Sequence, residues 1–356
     1  MFLKRIASLQ NFLTDDQAML ISDDNNRFYF TGMRSSAGVV LITKSESFLF
    51  IDFRYYEKAL STVKNTRVIL SEKLYSQIYE ALKSAGVTTV FTETDLISVS
   101  AFKRLKAAFP EIRLSQSGKL TDKIKELRSI KSAEEIEKIR ISQELTDRTF
   151  SYILERIEIG RTEKEIMLDM EFFMRRLGSE GTAFDFIVVS GKNSSLPHGV
   201  PTDKKIERGD FVTMDFGAVV EGYRSDMTRT VAVGEVNDRQ KEVYSIVLKA
   251  QKAALEAIKP GFKCCEVDRI ARDIIAEAGF EKCFGHGLGH SVGLDIHESP
   301  ACNTRDNTLL KKGMIMTVEP GIYLENSFGV RIEDMVAVTA DACENFTTST
   351  KELIIL

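Results

Sequence analysis

Histidine is scarce in this chain, and its cysteines follow no recognisable framework. The five cysteines, Cys264, Cys265, Cys283, Cys302 and Cys343, are odd in number, two are adjacent, and none forms a CxxC. That excludes a disulfide scaffold and a zinc ribbon, and it leaves the reduced thiols expected of a cytoplasmic protein. No run of about 20 apolar residues is available to cross a bilayer, and the opening MFLKRIASLQNFLTDD lacks a signal-peptide core. Neither sign of charge dominates: 48 Lys and Arg stand against 52 Asp and Glu, a net charge of −4. Nucleic acid and membrane surfaces are therefore not expected partners. What remains is an ordinary globular composition, 43% hydrophobic and 28% charged, in 356 residues, room for two domains.

Residues 1–122 alternate strand and helix signals. AMLIS, GVVLITK, SFLFIDF, RVILS and TVFTE are short apolar runs rich in β-branched or aromatic residues. Helical patterns fall between several of them, such as Leu74 to Ala85 and Ala101 to Phe109, and Phe2, Ile6, Leu9 and Leu13 suit an amphipathic first helix. This reads as a smaller α/β domain around a mixed sheet. It holds no histidine and no cysteine, so catalysis is expected elsewhere.

After 122 the texture changes. Ser132 with Glu135, and Thr162 with Glu165, are capping-box spacings that open helices over about 133–157 and 163–177. A second helical pair, about 238–258 and 264–278, is separated by Pro260-Gly261. Residues 123–356 thus read as α+β, with helices covering one face of a curved antiparallel sheet.

The segment from Asp210 to Val233 organises this second domain. Two runs rich in Val, Thr, Phe and Tyr flank Glu221-Gly222, a hairpin turn in which glycine can supply positive φ. If Val220 faces Tyr223, then Asp226 lies opposite Gly217. Side-chain alternation puts Asp215 and Asp226 on one face as diagonal neighbours, roughly 7–8 Å apart at the backbone. Carboxylates so placed could share two metal ions about 3.5–4 Å apart. A slip of one residue would turn one of them away. Alone, the pair reads equally well as a solvated acidic face.

The four histidines, His198, His286, His290 and His297, all fall in Gly- or Pro-punctuated segments flanking or following the hairpin. His286 and His290 in FGHGLGHSVGLDIHE have the i, i+4 spacing of a zincin, but Gly287 stands where HExxH needs glutamate, and the surrounding glycines oppose a helix. Glu319 in MTVEPGIY and Glu333 in GVRIEDMVAV sit inside apolar β-type runs. Buried without a partner, such a carboxylate costs several kcal/mol, so either a cation neutralises Glu319 or an arginine such as Arg331 does. Four carboxylates and an imidazole suit Mn²⁺, Co²⁺ or Fe²⁺, with Zn²⁺ also fitting.

Taken in order, TMDFGAVVEGYRSDMTRT, GHGLGHSVGLDIHE, TVEPGIY and GVRIEDMV resemble the pita-bread metallopeptidases, and within them the Xaa-Pro peptidases, aminopeptidase P and prolidase. NRFYFTGM, SAGVVLIT and FIDFRYYEKA resemble the creatinase/prolidase N-terminal domain, and LRSIKSAEEIEKIR the entry to its catalytic domain. The resemblance implies a pita-bread catalytic domain behind that smaller domain, a homodimer, and two divalent ions per chain, Mn²⁺ foremost. It implies Asp215, Asp226, His290, Glu319 and Glu333 as ligands and Glu319 as proton shuttle. His297 would be the oxyanion donor, His198 and His286 would line the pocket, and Arg331 would brace the ligands. The activity implied is hydrolysis of peptides with proline in second position. The first reading is an Xaa-Pro aminopeptidase and the alternative a prolidase restricted to dipeptides. A metal-free creatinase-like hydrolase or a non-enzymatic binding protein would have no reason to keep five such costly side chains.

Overall fold

The computed structural model describes residues 1–356. Contacts divide it into two compact units, Met1–Leu127 and Arg128–Leu356. The division falls inside a helix, Lys119–Ser129, that also contains the boundary drawn from sequence after residue 122. The helices expected from sequence in this stretch begin only at about 133, so this one is an addition.

The first unit is built on six strands, β1 (Gln17–Ile21), β2 (Val39–Thr43), β3 (Ser47–Ile51), β4 (Arg67–Leu70), β5 (Thr89–Thr92) and β6 (Arg113–Ser115), in the order β4-β3-β2-β1-β5-β6. β1, β2 and β3 pair antiparallel, and β4, β5 and β6 join in parallel, the mixed sheet the alternation had implied. The aromatic stretch DNNRFYFT is a helix, Asp24–Thr31, despite its strand-favouring residues. The Asp23 side chain accepts from the Asn26 amide at its start, an N-cap that overrides β propensity.

In the second unit the helices Ala133–Leu154, Glu163–Arg176, Asp238–Ala257 and Cys264–Glu277 form close to the expected positions. Both foreseen capping boxes are present, and Asn237 with Gln240 makes a third. The strands are β7 (Ile187–Ser190), β8 (Phe211–Phe216), β9 (Val219–Val220), β10 (Tyr223–Arg224), β11 (Met227–Ala232), β12 (Gly289–Ser291), β13 (Glu298–Cys302), β14 (Ile315–Val318), β15 (Gly321–Leu324), β16 (Phe328–Arg331), β17 (Asp334–Val338) and β18 (Cys343–Asn345). They pair antiparallel throughout as β11-β8-β7, β14-β17-β18 and three two-stranded ribbons. The first helix pair shares an apolar core with β7, β8 and β11, and the second with β14, β16 and β17. Each pair buries its apolar stripe on one part of the β structure.

The hairpin keeps one register from turn to base. Val220 faces Tyr223, Phe216 faces Met227, and Asp215 faces Thr228. Glu221 and Gly222 both have positive φ, 44° and 82°, the signature of the I′ turn whose twist matches the strands. Gly217 is required opposite Asp226, because a Cβ there would come within 1.9 Å of the Ser225 carbonyl oxygen.

Candidate functional site

Parity of the hairpin brings Asp215 and Asp226 to the wall of one cavity of about 1260 Å³, which also takes in His198, His286, His290, His297, Glu319, Arg331 and Glu333. Every residue singled out from sequence therefore reaches the same space. They do not all face it in the same way.

The tightest group is Asp226, His290 and Glu333, with one ligand atom from each lying within 4.8 Å of the others. His290 sits on β12, and its Nδ1 meets the Ser291 carbonyl oxygen at 3.1 Å. A carbonyl only accepts, so Nδ1 carries the proton and Nε2 presents a lone pair. That lone pair faces Glu319 Oε1 at 3.3 Å and Asp226 Oδ2 at 3.6 Å. Burial, then His297, pushes the His290 pKa down to about 4, so the ring is neutral and these are not ion pairs. Three ligand-type atoms, one imidazole nitrogen and two carboxylate oxygens, converge there.

The carboxylates tell the same story. Burial and their mutual repulsion push Asp226 and Glu333 well above the usual range, and burial raises Glu319 to about 8. Asp215 Oδ1 and Glu333 Oε1 are buried with no hydrogen-bond partner. Orphaned oxygens beside an imidazole lone pair fit a hard or borderline divalent cation. Asp215, Asp226, His290, Glu319 and Glu333 are the residues that would hold it.

Arg331 is not the counter-ion of Glu319. Its Nη2 donates to Asp215 Oδ2 at 2.5 Å, its Nε to Thr228 Oγ1 at 3.0 Å, and its Nη1 to the Tyr323 hydroxyl at 2.9 Å. Glu319 accepts instead from Thr317 Oγ1 at 3.1 Å, and that hydroxyl accepts the His290 amide. Thr228 Oγ1 donates to Glu333 Oε2 at 2.8 Å. His286 lines the cavity, but both its ring nitrogens are taken, by the Gly287 carbonyl and the Tyr323 hydroxyl. His198 and His297 are exposed, and the His297 ring lies 4.5 Å from that of His290.

Thr228, Thr317 and Tyr323 were not foreseen. Thr228 could have been, because it sits two residues from Asp226 and alternation puts both on one face. Tyr323 carries no such signal, since its hydroxyl meets Arg331 and His286 only through the fold.

The description "Metallopeptidase family M24" matches residues 137–340, and "Creatinase/Prolidase N-terminal domain" matches residues 5–130. The Xaa-Pro dipeptidase of Pyrococcus furiosus is 40% identical over 354 residues, 99% of each chain. The structure of the Xaa-Pro dipeptidase from Bacillus anthracis superposes with a TM-score of 0.95 at 39% identity, covering 100% of this chain and 99% of that one. The X-Pro aminopeptidase from Thermotoga maritima does so at 0.91 and 37%, over 98% and 100%. Likeness of that extent, with the pita-bread architecture, makes the chain a member of metallopeptidase family M24 with a creatinase/prolidase-type N-terminal domain.

Proposed function

We propose that the protein is a metal-dependent Xaa-Pro dipeptidase, the reading carried by the convergence of His290 Nε2 with the oxygens of Asp226, Glu319 and Glu333. Membership of a metallopeptidase family brings divalent metal use with it. Two ions per chain, with Mn²⁺ the first to try, is the fuller form of the proposal. When bound, such ions supply Lewis acidity and lower the pKa of water. The chain's own groups do the rest. Glu319 takes the proton of the attacking water and passes it to the proline nitrogen. His297, exposed beside His290, donates to the oxygen of the substrate carbonyl as charge develops there. Arg331 and Thr228 hold Asp215 and Glu333 in place. Assembly as a homodimer in the cytoplasm completes the reading, and no helix is long and apolar enough to cross a membrane.

Sequence alone had leaned towards an aminopeptidase. Relatives named Xaa-Pro dipeptidase at 40% identity favour the alternative, and one residue of the cavity supports the change. A dipeptide's free carboxylate needs a cation. Lys164, Arg272 and Arg331 on the cavity wall are each paired with a carboxylate, whereas Arg305 is exposed on it and makes no ion pair. The test is to strip the purified protein with chelator, restore Mn²⁺, Co²⁺ or Zn²⁺ separately, and compare Xaa-Pro dipeptides with matched Xaa-Pro-Yaa tripeptides. Dipeptides should be hydrolysed faster. Arg305→Ala should raise their KM about 10–100-fold, as loss of a charged hydrogen bond does, with little effect on tripeptides. Equal rates would return the aminopeptidase reading, and no hydrolysis of either would end both.

A further inference from the structure

Behind the cavity wall lies a second cluster of buried charges that hydrolysis does not use directly. Glu298 follows His297, and its side chain is only 6% exposed. Its Oε1 accepts the amides of Leu294 and Asp295, at 2.9 and 3.2 Å, and the Arg128 guanidinium. Its Oε2 accepts Lys131 Nζ at 3.1 Å. The turn from Gly293 to Glu298 is thus folded around this one carboxylate. Gly293 leaves no room for anything else, since a Cβ on it would meet Glu298 Oε1 at 2.5 Å.

The far edge of the turn is tied to the metal hairpin. The Arg224 amide donates to the Gly293 carbonyl at 2.9 Å, and the Arg224 guanidinium donates to the Leu294 carbonyl. Lys131, 1% exposed, also donates to Ser291 Oγ at 2.8 Å, and Ser291 supplies the carbonyl that fixes the His290 tautomer. His297 is the last residue of the turn, directly before β13 begins at Glu298, so a clamp on the Glu298 carboxylate fixes the backbone that carries the imidazole.

We propose that Glu298, clamped by Lys131 and Arg128, is the positioning residue of the histidine turn, holding His297 beside His290 at the cavity. This deepens the proposed function, on whose assignment of His297 its kinetic consequence rests.

Only four histidines make the ring signals separable by ¹H–¹⁵N correlation in the full-length protein loaded with diamagnetic Zn²⁺. Glu298→Gln removes the charge, and Gly293→Ala displaces the carboxylate without removing any charge. In either variant the His297 ring signal should shift while that of exposed His198 stays. In the metal-loaded enzyme, kcat for an Xaa-Pro dipeptide should fall about 10–100-fold with KM nearly unchanged, the size seen when an outer partner of a site ligand is lost. A merely structural role would lower the melting temperature and leave both readouts alone. Unmoved His297 signals with kcat within about twofold of wild type would overturn the proposal. Should Glu298→Gln fail to fold, Gly293→Ala carries the same two readouts. A wild-type protein inactive on every Xaa-Pro peptide would sink the proposed function, and the ring signals would still decide the positioning.

Discussion

Two largely enclosed glutamates, Glu319 against His290 and Glu298 next to His297, end with their acidities shifted in opposite directions. Burial raises both, yet Glu319 stays up at about 8 while Lys131 and Arg128 bring Glu298 down to about 2. Glu298 has two cations against it inside the protein. Near Glu319 the one cation is Arg331, whose guanidinium is committed to Asp215 and Tyr323, and Asp215 adds repulsion. Burial therefore does not distinguish a structural carboxylate from a ligand; the supply of counter-charge does. One cluster is complete as folded. The other is completed from outside.

Breaking the incomplete cluster should have the largest effect. Asp226→Ala removes an oxygen close to His290 Nε2 and relieves repulsion on Glu333, Asp215 and Glu319. Activity should fall well beyond the ~10–100-fold that loss of an outer partner brings, with divalent metal no longer retained on dialysis. The metal-free variant should also melt above metal-free wild type at pH 8, because like charges have been removed. A variant that kept its metal and its rate would contradict the cluster's assignment.

Next in size is a contrast in pH. Glu319 has a folded pKa of about 8 against an unfolded value near 4.5. Its contribution to the metal-free protein is present below pH 4.5 and is lost as pH rises towards 8. Asp226 and Glu333 are shifted in the same direction. Glu298, at about 2 against 4.5, contributes above pH 4.5 and loses its contribution as pH falls towards 2. The chelated protein should therefore melt progressively lower from pH 5 to pH 8, and added Mn²⁺ should abolish that slope without touching the acid limb. Thermal melts with and without chelator measure both. A flat alkaline limb in the metal-free protein would mean the carboxylates find counter-charge within the chain.

The same contrast explains what could be read from the residues alone. Asp215 and Asp226 were placed by alternation across a two-residue turn, and the pairing of Asp215 with Thr228 keeps that register. Strand parity is a local rule and survives without coordinates. The helices opened by Ser132 and Thr162 were legible for the same reason. Arg331 could be named, but not its partner, because Glu319 is much the nearer in sequence and only the fold brings in Asp215, 116 residues away. Glu298 and Lys131 gave no signal at all. They meet across 167 residues, and a glutamate after a histidine reads as a surface residue until something is seen to bury it. Asp24–Thr31 was hidden for another reason, its cap being outweighed by aromatic residues that favour strands.

The smallest expected effect supplies the baseline for both clusters. Asn237 caps the helix Asp238–Ala257 by accepting the Gln240 amide at 2.9 Å, and Gln240 returns the bond to the Asn237 amide at 3.0 Å. Neither residue lines the cavity. Asn237→Ala should therefore cost about 1 kcal/mol, the usual worth of a cap. In a unit of this size that is about 2–4 °C of melting temperature. The loss should be independent of metal and unchanged between pH 5 and pH 8, because no titrating group is involved. kcat and KM should stay at wild-type values. If removing this cap changed the rate as much as removing Glu298, the helix would be transmitting strain to the site, and charge-set and locally set positions would not be separable in this protein.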